Sequence, residues 1–443
     1  MSKTKNFSFI NSFLFTLLVL CLGLGGCSAK GTTKEKTSVD TTGAVVDRSY
    51  VDEDGSKHIR ATLKGAEDVT KGAEDVTKTV ESAASTSASV EVTSSQSEQT
   101  KSTSSIEYAK AMGAGYNLGN EFDAYNCTWL SDEMAYESAW SKAVTTKGFI
   151  HHVKELGFTS IRIPVSWHNH VDQNFTISKQ WLDRVDEVVS WAYDEGLIVV
   201  LNIHHDIDRA YIYPSYDCYE SSKKYLVTVW KQLAIHFAGY GDRLVFEAMN
   251  EPRLVGETYE WWVNPSDSRC KEAIDVVNKL NQDFVDCVRG VKGNEERFLM
   301  IPSYCDMYEC GASGFVVPND SAFDKLLFTF HAYLPYKFAQ VNGEAYDFGA
   351  QEKKANDDAF DAIYDRFVKC GVGVVLGEFG AIDKGSDDSR LAYFEYVAKL
   401  AKQKGMAYMV WDNNSYSGDA PFGLIDRAAV IDKEKEILDV LVK

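Results

Sequence analysis

From residue 106 onward the sequence alternates short apolar, β-rich runs with amphipathic stretches eight times. The runs are Gly113–Leu118, Ser160–Val165, Leu197–Ile203, Leu244–Met249, Arg297–Pro302, Leu326–Phe330, Gly373–Leu376 and Ala407–Trp411. Amphipathic stretches lie between them, such as Gln180–Tyr193, Ser221–Phe237, Lys271–Arg289, Ala355–Val368 and Asp388–Lys404. Runs nearly continuous in Val, Ile, Leu and Phe mark parallel strands buried on both faces. Eight strand-then-helix units predict an α/β fold, a (β/α)₈ TIM barrel over 106–443. An open doubly wound sheet would offer a Gly-rich phosphate turn after its first strand. Here Tyr116 and Leu118 interrupt the glycines of Gly113 to Gly119, so that alternative is weak.

Two unlike segments precede the barrel. Lys3 and Lys5 lead an apolar stretch, Phe13 to Leu24, which ends in Leu24-Gly25-Gly26-Cys27. A charged start, a short apolar centre and small residues before a cut describe a secretory signal over 1–27. The apolar part is shorter than the ~20 residues that span a bilayer. The quartet resembles the lipobox of bacterial lipoproteins, which implies lipidation of Cys27 and a cell-surface or secreted location; an ordinary signal peptide is the alternative. Residues 28–105 are rich in Ser, Thr, Lys, Glu and Ala, with a tandem repeat at Lys64–Thr70 and Lys71–Thr77 and no Trp or Phe. That composition buries too little to offset ordering entropy, so a disordered Ser/Thr-rich tether is expected.

The chain has 443 residues and a formal net charge of −19. Nearly all of the excess falls on 106–443, with 34 basic against 52 acidic residues. Nucleic-acid and polyphosphate partners need a basic footprint and are excluded as expectations. A neutral ligand meets no such barrier.

In a (β/α)₈ barrel, reacting side chains stand where strands end, at the C-terminal face. The predicted exits carry Asn117 and Asn120, Arg162, His204 and His205, Asn250 and Glu251, Tyr304, His331 and Tyr333, Glu378, and Trp411. Two carboxylates stand out. Glu251 precedes Pro252, which disfavours helical angles and predicts an extended geometry at the tip of the fourth strand. Glu378 ends the seventh strand between Gly377 and Gly380, which permit a bend and the close approach of a ligand ring. Strands four and seven face each other across such a barrel. Carboxyl groups ~5–5.5 Å apart suit a retaining glycosidase, one as nucleophile and the other as proton donor and later base. Arg162 is placed to keep Glu378 ionised. Asn250 can donate to a sugar 2-hydroxyl, and Trp411 offers a flat face to the ring.

Seven motifs resemble glycoside hydrolase family 5 over almost all of 106–443. They are Tyr116 to Asn120, Arg162 to Trp167, Asn202 to His205, Asn250-Glu251-Pro252, His331-Ala332-Tyr333, Gly377 to Gly380 and Trp411-Asp412-Asn413. The resemblance implies Glu251 as acid/base and Glu378 as nucleophile, with His331 and Tyr333 beside them. Asn117, Arg162, His204, His205, Asn250, His331, Tyr333 and Trp411 are the implied substrate-binding residues. Asn117 to Ala124 and Met249 to Arg253 look most like subfamily 4, which implies a retaining endo-β-1,4-glucanase, with xyloglucan, lichenan or xylan as further substrates. A related endo-hydrolase on mannan, xylan or mixed-linkage glucan is the alternative. A non-catalytic glycan-binding lipoprotein is the rival from another class. Two departures, Val410 where a second Trp is expected and Glu121 where Thr is common, are expected to affect the glycone side.

No cofactor and no metal are expected. Adjacent strand residues point to opposite sides, so at most one of His204 and His205 should face the cavity. His168 and His170 lack a carboxylate or Cys cluster, and His151-His152 reads as surface. Of nine cysteines, seven follow Cys27, so at least one thiol is expected to be free; a Cys305–Cys310 bridge stays possible. Trp129, Trp261 and Trp262 read equally as outer sugar platforms or as lids over the barrel rim. The expected partner is a β-glucan polysaccharide bound by a monomer, with the membrane reached only through the Cys27 lipid.

Overall fold

The computed structural model describes residues 103–345 and 347–443, with the backbone of two short segments, 46–51 and 57–61. The chain divides into two units, Met1–Ala73 and Glu74–Lys443. In the first, strands Val46–Val51 and Lys57–Ala61 pair antiparallel, with Val51 opposite Lys57. This pairing falls within the stretch read as a tether. The rest of that stretch up to residue 102, the signal at 1–27 and Cys27 lie outside the described residues.

The second unit is a closed eight-stranded parallel barrel. Its strands are β1 (Ala114–Leu118), β2 (Ser160–Ile163), β3 (Ile198–Asn202), β4 (Leu244–Glu247), β5 (Leu299–Pro302), β6 (Leu326–His331), β7 (Gly373–Phe379) and β8 (Ala407–Asp412). They pair in chain order, and β8 closes on β1 with Trp411 opposite Asn117. Every predicted run becomes a strand. The helices are α1 (Ser105–Met112), α2 (Lys147–Glu155), α3 (Lys179–Asp194), α4 (Tyr219–His236), α5 (Ser268–Arg289), α6 (Tyr308–Ala312), α7 (Tyr336–Ala339), α8 (Ala350–Arg366), α9 (Asp387–Gln403) and α10 (Lys435–Val442).

The period-two alternation of each strand sorts its residues between two cores. Val199 and Leu201 of β3, Leu244 and Phe246 of β4, and Tyr408 and Val410 of β8 join the layer beneath the helices. Their neighbours Ile198, Val200, Val245, Ala407 and Met409 join a second cluster with Met300, Leu327 and Val375. That cluster also holds Tyr108, Ala109 and Met112 of α1, so this helix seals the floor of the barrel. A capping box at Ser104 and Glu107 starts α1 there. Gly373 permits the close fit, because a Cβ on it would stand 2.1 Å from the Ser105 carbonyl oxygen. Burying each large side chain of this plug contributes about 1.5–3 kcal/mol. Further up, the interior positions turn polar: Asn117, Arg162, Asn202 and Glu247 are all fully buried. An apolar floor below a charged upper layer is what aims the chemistry at the C-terminal rim.

Candidate active site

Arg162 organises the upper layer. Its Nη1 donates to Glu378 Oε1 at 2.7 Å and to Asn117 Oδ1 at 3.0 Å. Nη2 donates to Asn250 Oδ1 at 2.7 Å, and Nε to Glu247 Oε2 at 2.6 Å. Four strands are thereby tied to one guanidinium whose planar fork suits such pairing. Asn117 is fixed in turn by donating to the carbonyls of Gly377 and Met409. Asn250 spends its oxygen on Arg162, which leaves its amide nitrogen as the group that donates.

Glu378 receives a second hydrogen bond from the Tyr333 hydroxyl, 2.8 Å to Oε2. Burial and the neighbouring carboxylate push this phenol well above the usual tyrosine range, so it serves as a donor. Pairing between β6 and β7 slips by one residue here: Phe330 faces Leu376 and His331 faces Glu378. Gly377 is the extra residue of this bulge, which re-aims the carboxylate. The bend expected from glycine is present. The close approach at Gly377 is made by protein and not by a ligand ring: a Cβ there would lie 2.6 Å from Thr329 Oγ1 and 3.2 Å from His331 Nε2.

Glu251 is not extended. Its φ is +45°, a left-handed angle uncommon outside glycine. Pro252 excludes the right-handed helical region, but neighbouring hydrogen bonds select the left-handed alternative. The Glu251 N–H donates to Asp306 Oδ2 at 3.0 Å. Its Oε1 meets His331 Nδ1 at 2.8 Å, and Arg253 Nη1 stands 3.6 Å from Oε2. Burial alone would raise the Glu251 carboxyl, but His331 and Arg253 outweigh it and bring it down to about 2. Burial likewise opposes the His331 imidazolium, yet Glu378, Asp306 and Glu251 hold it up to about 9. The free site therefore keeps a proton on the imidazole beside Glu251. Oxygens of Glu251 and Glu378 and a nitrogen of His331 all lie within 4.8 Å of one another.

His204 and His205 both reach this region. They sit beyond the end of β3, where strand alternation no longer applies. Their rings meet edge to face at 4.4 Å, and ring nitrogens of both lie within 4.8 Å of each other and of an Asp123 oxygen. The expectation that at most one faces the cavity is therefore corrected. Burial lowers His204 well below the ordinary range, and burial with Arg253 lowers His205 to about 3, so both rings are neutral. Trp411 lies parallel to His204, centroids 5.9 Å apart. A Cβ on Gly119 would strike that indole at 2.6 Å, so glycine is what lets Trp411 lie flat.

Other expectations resolve differently. Val410 packs outward under the helices, and Glu121 is a buried partner of Arg427 at 2.9 Å. His170 stacks on Trp181 at 3.7 Å and bonds Glu133; His168 lies 3.6 Å from Asp206. His151 is exposed beside Glu195, whereas His152 is partly buried against Asp432. Tyr304 is buried and supports the loop after β4 through Tyr259 and Leu254. All seven described cysteines are free, including Cys305 and Cys310. Trp129, Trp261 and Trp262 are exposed; Trp261 carries Arg253 over its ring at 4.0 Å. Sequence reasoning missed Glu247, Asn202, Asp206 and Asp306. Asp206 accepts the backbone N–H groups of Trp167 and His168, holding the loop after β2 against that after β3. For Glu247 and Asn202 the available signal was a lone acid or amide in an otherwise apolar run; Asp206 and Asp306 lie past their strands, where no such signal exists.

Residues 115–417 match the cellulase family, glycosyl hydrolase family 5. Over 347 residues the chain is 38% identical to the cellulase/esterase CelE of Acetivibrio thermocellus, covering 77% of this chain and 40% of that one. It thus spans less than half of that relative. A family 5 lichenase from Caldicellulosiruptor sp. F32, solved with cellotetraose, superposes with a TM-score of 0.75 at 41% identity, over 77% of this chain and 95% of the other. A GH5-4 broad-specificity endoglucanase from Clostridium acetobutylicum gives a TM-score of 0.70 at 34% identity, over 77% and 100%.

Proposed function

The chain belongs to glycosyl hydrolase family 5, and from that premise we propose that it is a retaining endo-β-1,4-glucanase with Glu378 as nucleophile and Glu251 as acid/base. The observation that carries this reading is the separation of the two carboxylates, whose nearest oxygens lie within 4.8 Å. Inverting enzymes need ~6.5–9.5 Å to seat a water between the carboxyl groups, and retaining ones ~5–5.5 Å. Glu378 attacks the anomeric carbon while Glu251 delivers a proton to the departing glycosidic oxygen. A water activated by Glu251 then frees the glycosyl ester. Asn250 donates to the 2-hydroxyl of the sugar in the −1 site, Trp411 stacks on it, and the neutral rings of His204 and His205 bond its hydroxyls. Asn117 and Arg162 orient Glu378 from below, and His331 and Tyr333 stand beside the pair.

The substrate is a β-glucan, cellulose-like or xyloglucan. The lichenase among the similar structures favours mixed-linkage glucan as a second substrate. The enzyme works outside the cell as a monomer, anchored through lipid on Cys27 with residues 28–105 as spacer. Reducing ends released from carboxymethylcellulose by the mature chain are the expected result; none from any β-glucan overturns the reading. A 2-deoxy-2-fluoro cellobioside is expected to leave its adduct on Glu378, and an adduct elsewhere reverses the assignment. For the anchor, labelled palmitate is expected on the chain and lost with Cys27→Ala.

A further inference from the structure

We propose that Asp306, in the loop after β5, is a positioning residue for acid catalysis that holds Glu251 in its left-handed turn and keeps a transferable proton on the Glu251–His331 couple. The proposal rests on the reading of Glu251 as acid/base and goes beyond it, because none of the seven motifs includes a residue of the β5 exit.

The geometry is a reciprocal clasp. Cys305 N–H donates to the Pro252 carbonyl at 3.0 Å, while Glu251 N–H donates to Asp306 Oδ2 at 3.0 Å. Making this clasp takes two successive left-handed residues, Cys305 at φ +53° and Asp306 at φ +47°. Neither is glycine, and a strained angle of this kind persists only where surrounding contacts enforce it. Tyr304 adds its hydroxyl, which accepts the Leu254 N–H at 3.0 Å. The β5 exit is thus built around the β4 exit, and the carboxylate it delivers is fully buried.

Asp306 also faces the second nitrogen of the catalytic imidazole. His331 Nε2 stands 3.8 Å from Asp306 Oδ2, within ion-pair range though too long for a direct hydrogen bond. Asp306 Oδ1 and His331 Nε2 both lack any other hydrogen-bond partner. A carboxylate at Nε2 favours the tautomer protonated there, so the proton at Nδ1 is the one to be exchanged with Glu251 Oε1. The titratable and charged groups facing this couple are Glu247 of β4 and Arg253 beyond it, Arg162 of β2, the neutral His204 and His205 after β3, Cys305 after β5, Tyr333 after β6 and Glu378 of β7. Burial pushes the Asp306 carboxyl well above its ordinary range, opposed by the His331 cation. In the reaction the couple's proton passes to the glycosidic oxygen as the C1–O bond breaks and the Glu378 ester forms. When the facing His331 cation holds it ionised against its burial, Asp306 favours the protonated couple. Without it the proton is lost at lower pH.

The test compares Asp306→Asn, Asp306→Ala and Glu251→Ala in the full mature enzyme. Two substrates are used, cellotetraose and 2,4-dinitrophenyl β-cellobioside, whose leaving group needs no proton. Asp306→Ala is expected to lower kcat/KM on cellotetraose about 10–100-fold, with less than about threefold change on the dinitrophenyl substrate. Asp306→Asn keeps an acceptor for the Glu251 N–H and is expected to move the alkaline limb of kcat/KM about one pH unit lower. Equal losses on both substrates, or an unmoved limb in Asp306→Asn, overturn the proposal. If Glu251→Ala spares the dinitrophenyl substrate but the Asp306 variants make no such distinction, only the role of Asp306 fails. If Glu251→Ala fails to distinguish the substrates, the acid/base reading itself fails.

Discussion

Glu378 and Glu251 are the same side chain in two different settings. Glu378 lies within a strand, its side chain 6% exposed, and both oxygens are bound, one by Arg162 and one by Tyr333. Glu251 lies beyond its strand in a left-handed turn, its side chain 17% exposed, and its closest partner is an imidazole that itself exchanges protons. Strong donors on both oxygens fix a carboxylate in place, as a nucleophile requires. A titratable partner and an open side are what a proton donor needs. The contrast comes from the supporting residues and not from the glutamates.

The most severe way to break this contrast is to delete each carboxylate in turn. Glu378→Ala is expected to lose at least about 10⁴-fold in kcat on any β-glucan. Glu251→Ala is expected to lose about 10²–10⁴-fold in kcat/KM on natural chains while retaining kcat/KM on an activated glycoside, with kcat lowered on both because Glu251 also activates the hydrolytic water. Azide distinguishes them by product. It fills the space left by Glu378 and gives the α-glycosyl azide, whereas with Glu251→Ala it attacks the glycosyl-enzyme and gives the β-anomer. The same anomer from both variants contradicts the assignment.

A second prediction removes the fixation of Glu378 while leaving both carboxylates. Arg162→Met strands Glu247 and Glu378 without their buried cation. Breaking such a pair costs about 3–5 kcal/mol, or about 4–7 °C in Tm for a barrel of this size. Activity is expected to fall about 10²–10³-fold, through lost orientation of the nucleophile. A variant with unchanged Tm by calorimetry refutes the view that Arg162 offsets both charges.

The barrel was legible because parallel strands leave a continuous apolar signature, and the strand exits followed from it. Glu378, Arg162 and Asn117 could be placed because they sit in or next to regular strands, where period-two alternation decides direction. Just past the strands that logic fails. His204 and His205 were read by alternation, although the chain had already left β3. Glu251 was read as extended, because Pro252 excludes one backbone region without choosing among the rest; Asp306, 55 residues away, makes that choice. Glu247 was hidden in a different way. A single acid inside Leu244–Glu247 reads as part of an apolar run, and only the arrival of Arg162 from β2 gives it a partner.

A third carboxylate sharpens the comparison by having no strong partner. Asp123 is fully buried, its side-chain oxygens lack hydrogen-bond partners by distance and angle, and His205 Nε2 is 3.8 Å away. Burial pushes its carboxyl up to about 7, against weaker opposition from backbone N–H groups. The folded chain then binds this proton more tightly than the unfolded chain, whose Asp titrates near ~3.9. Stability from this group is present below the unfolded value and declines as pH rises toward about 7, because the unfolded state releases its proton first. Asp123→Asn cannot titrate, so its Tm relative to the parent is expected to rise about 2–5 °C between pH 5 and pH 8. A constant difference between the two proteins would mean that Asp123 is already ionised in the fold. That outcome requires a cation beside it, which makes His205 an imidazolium and reverses the neutral state assigned to the histidine pair.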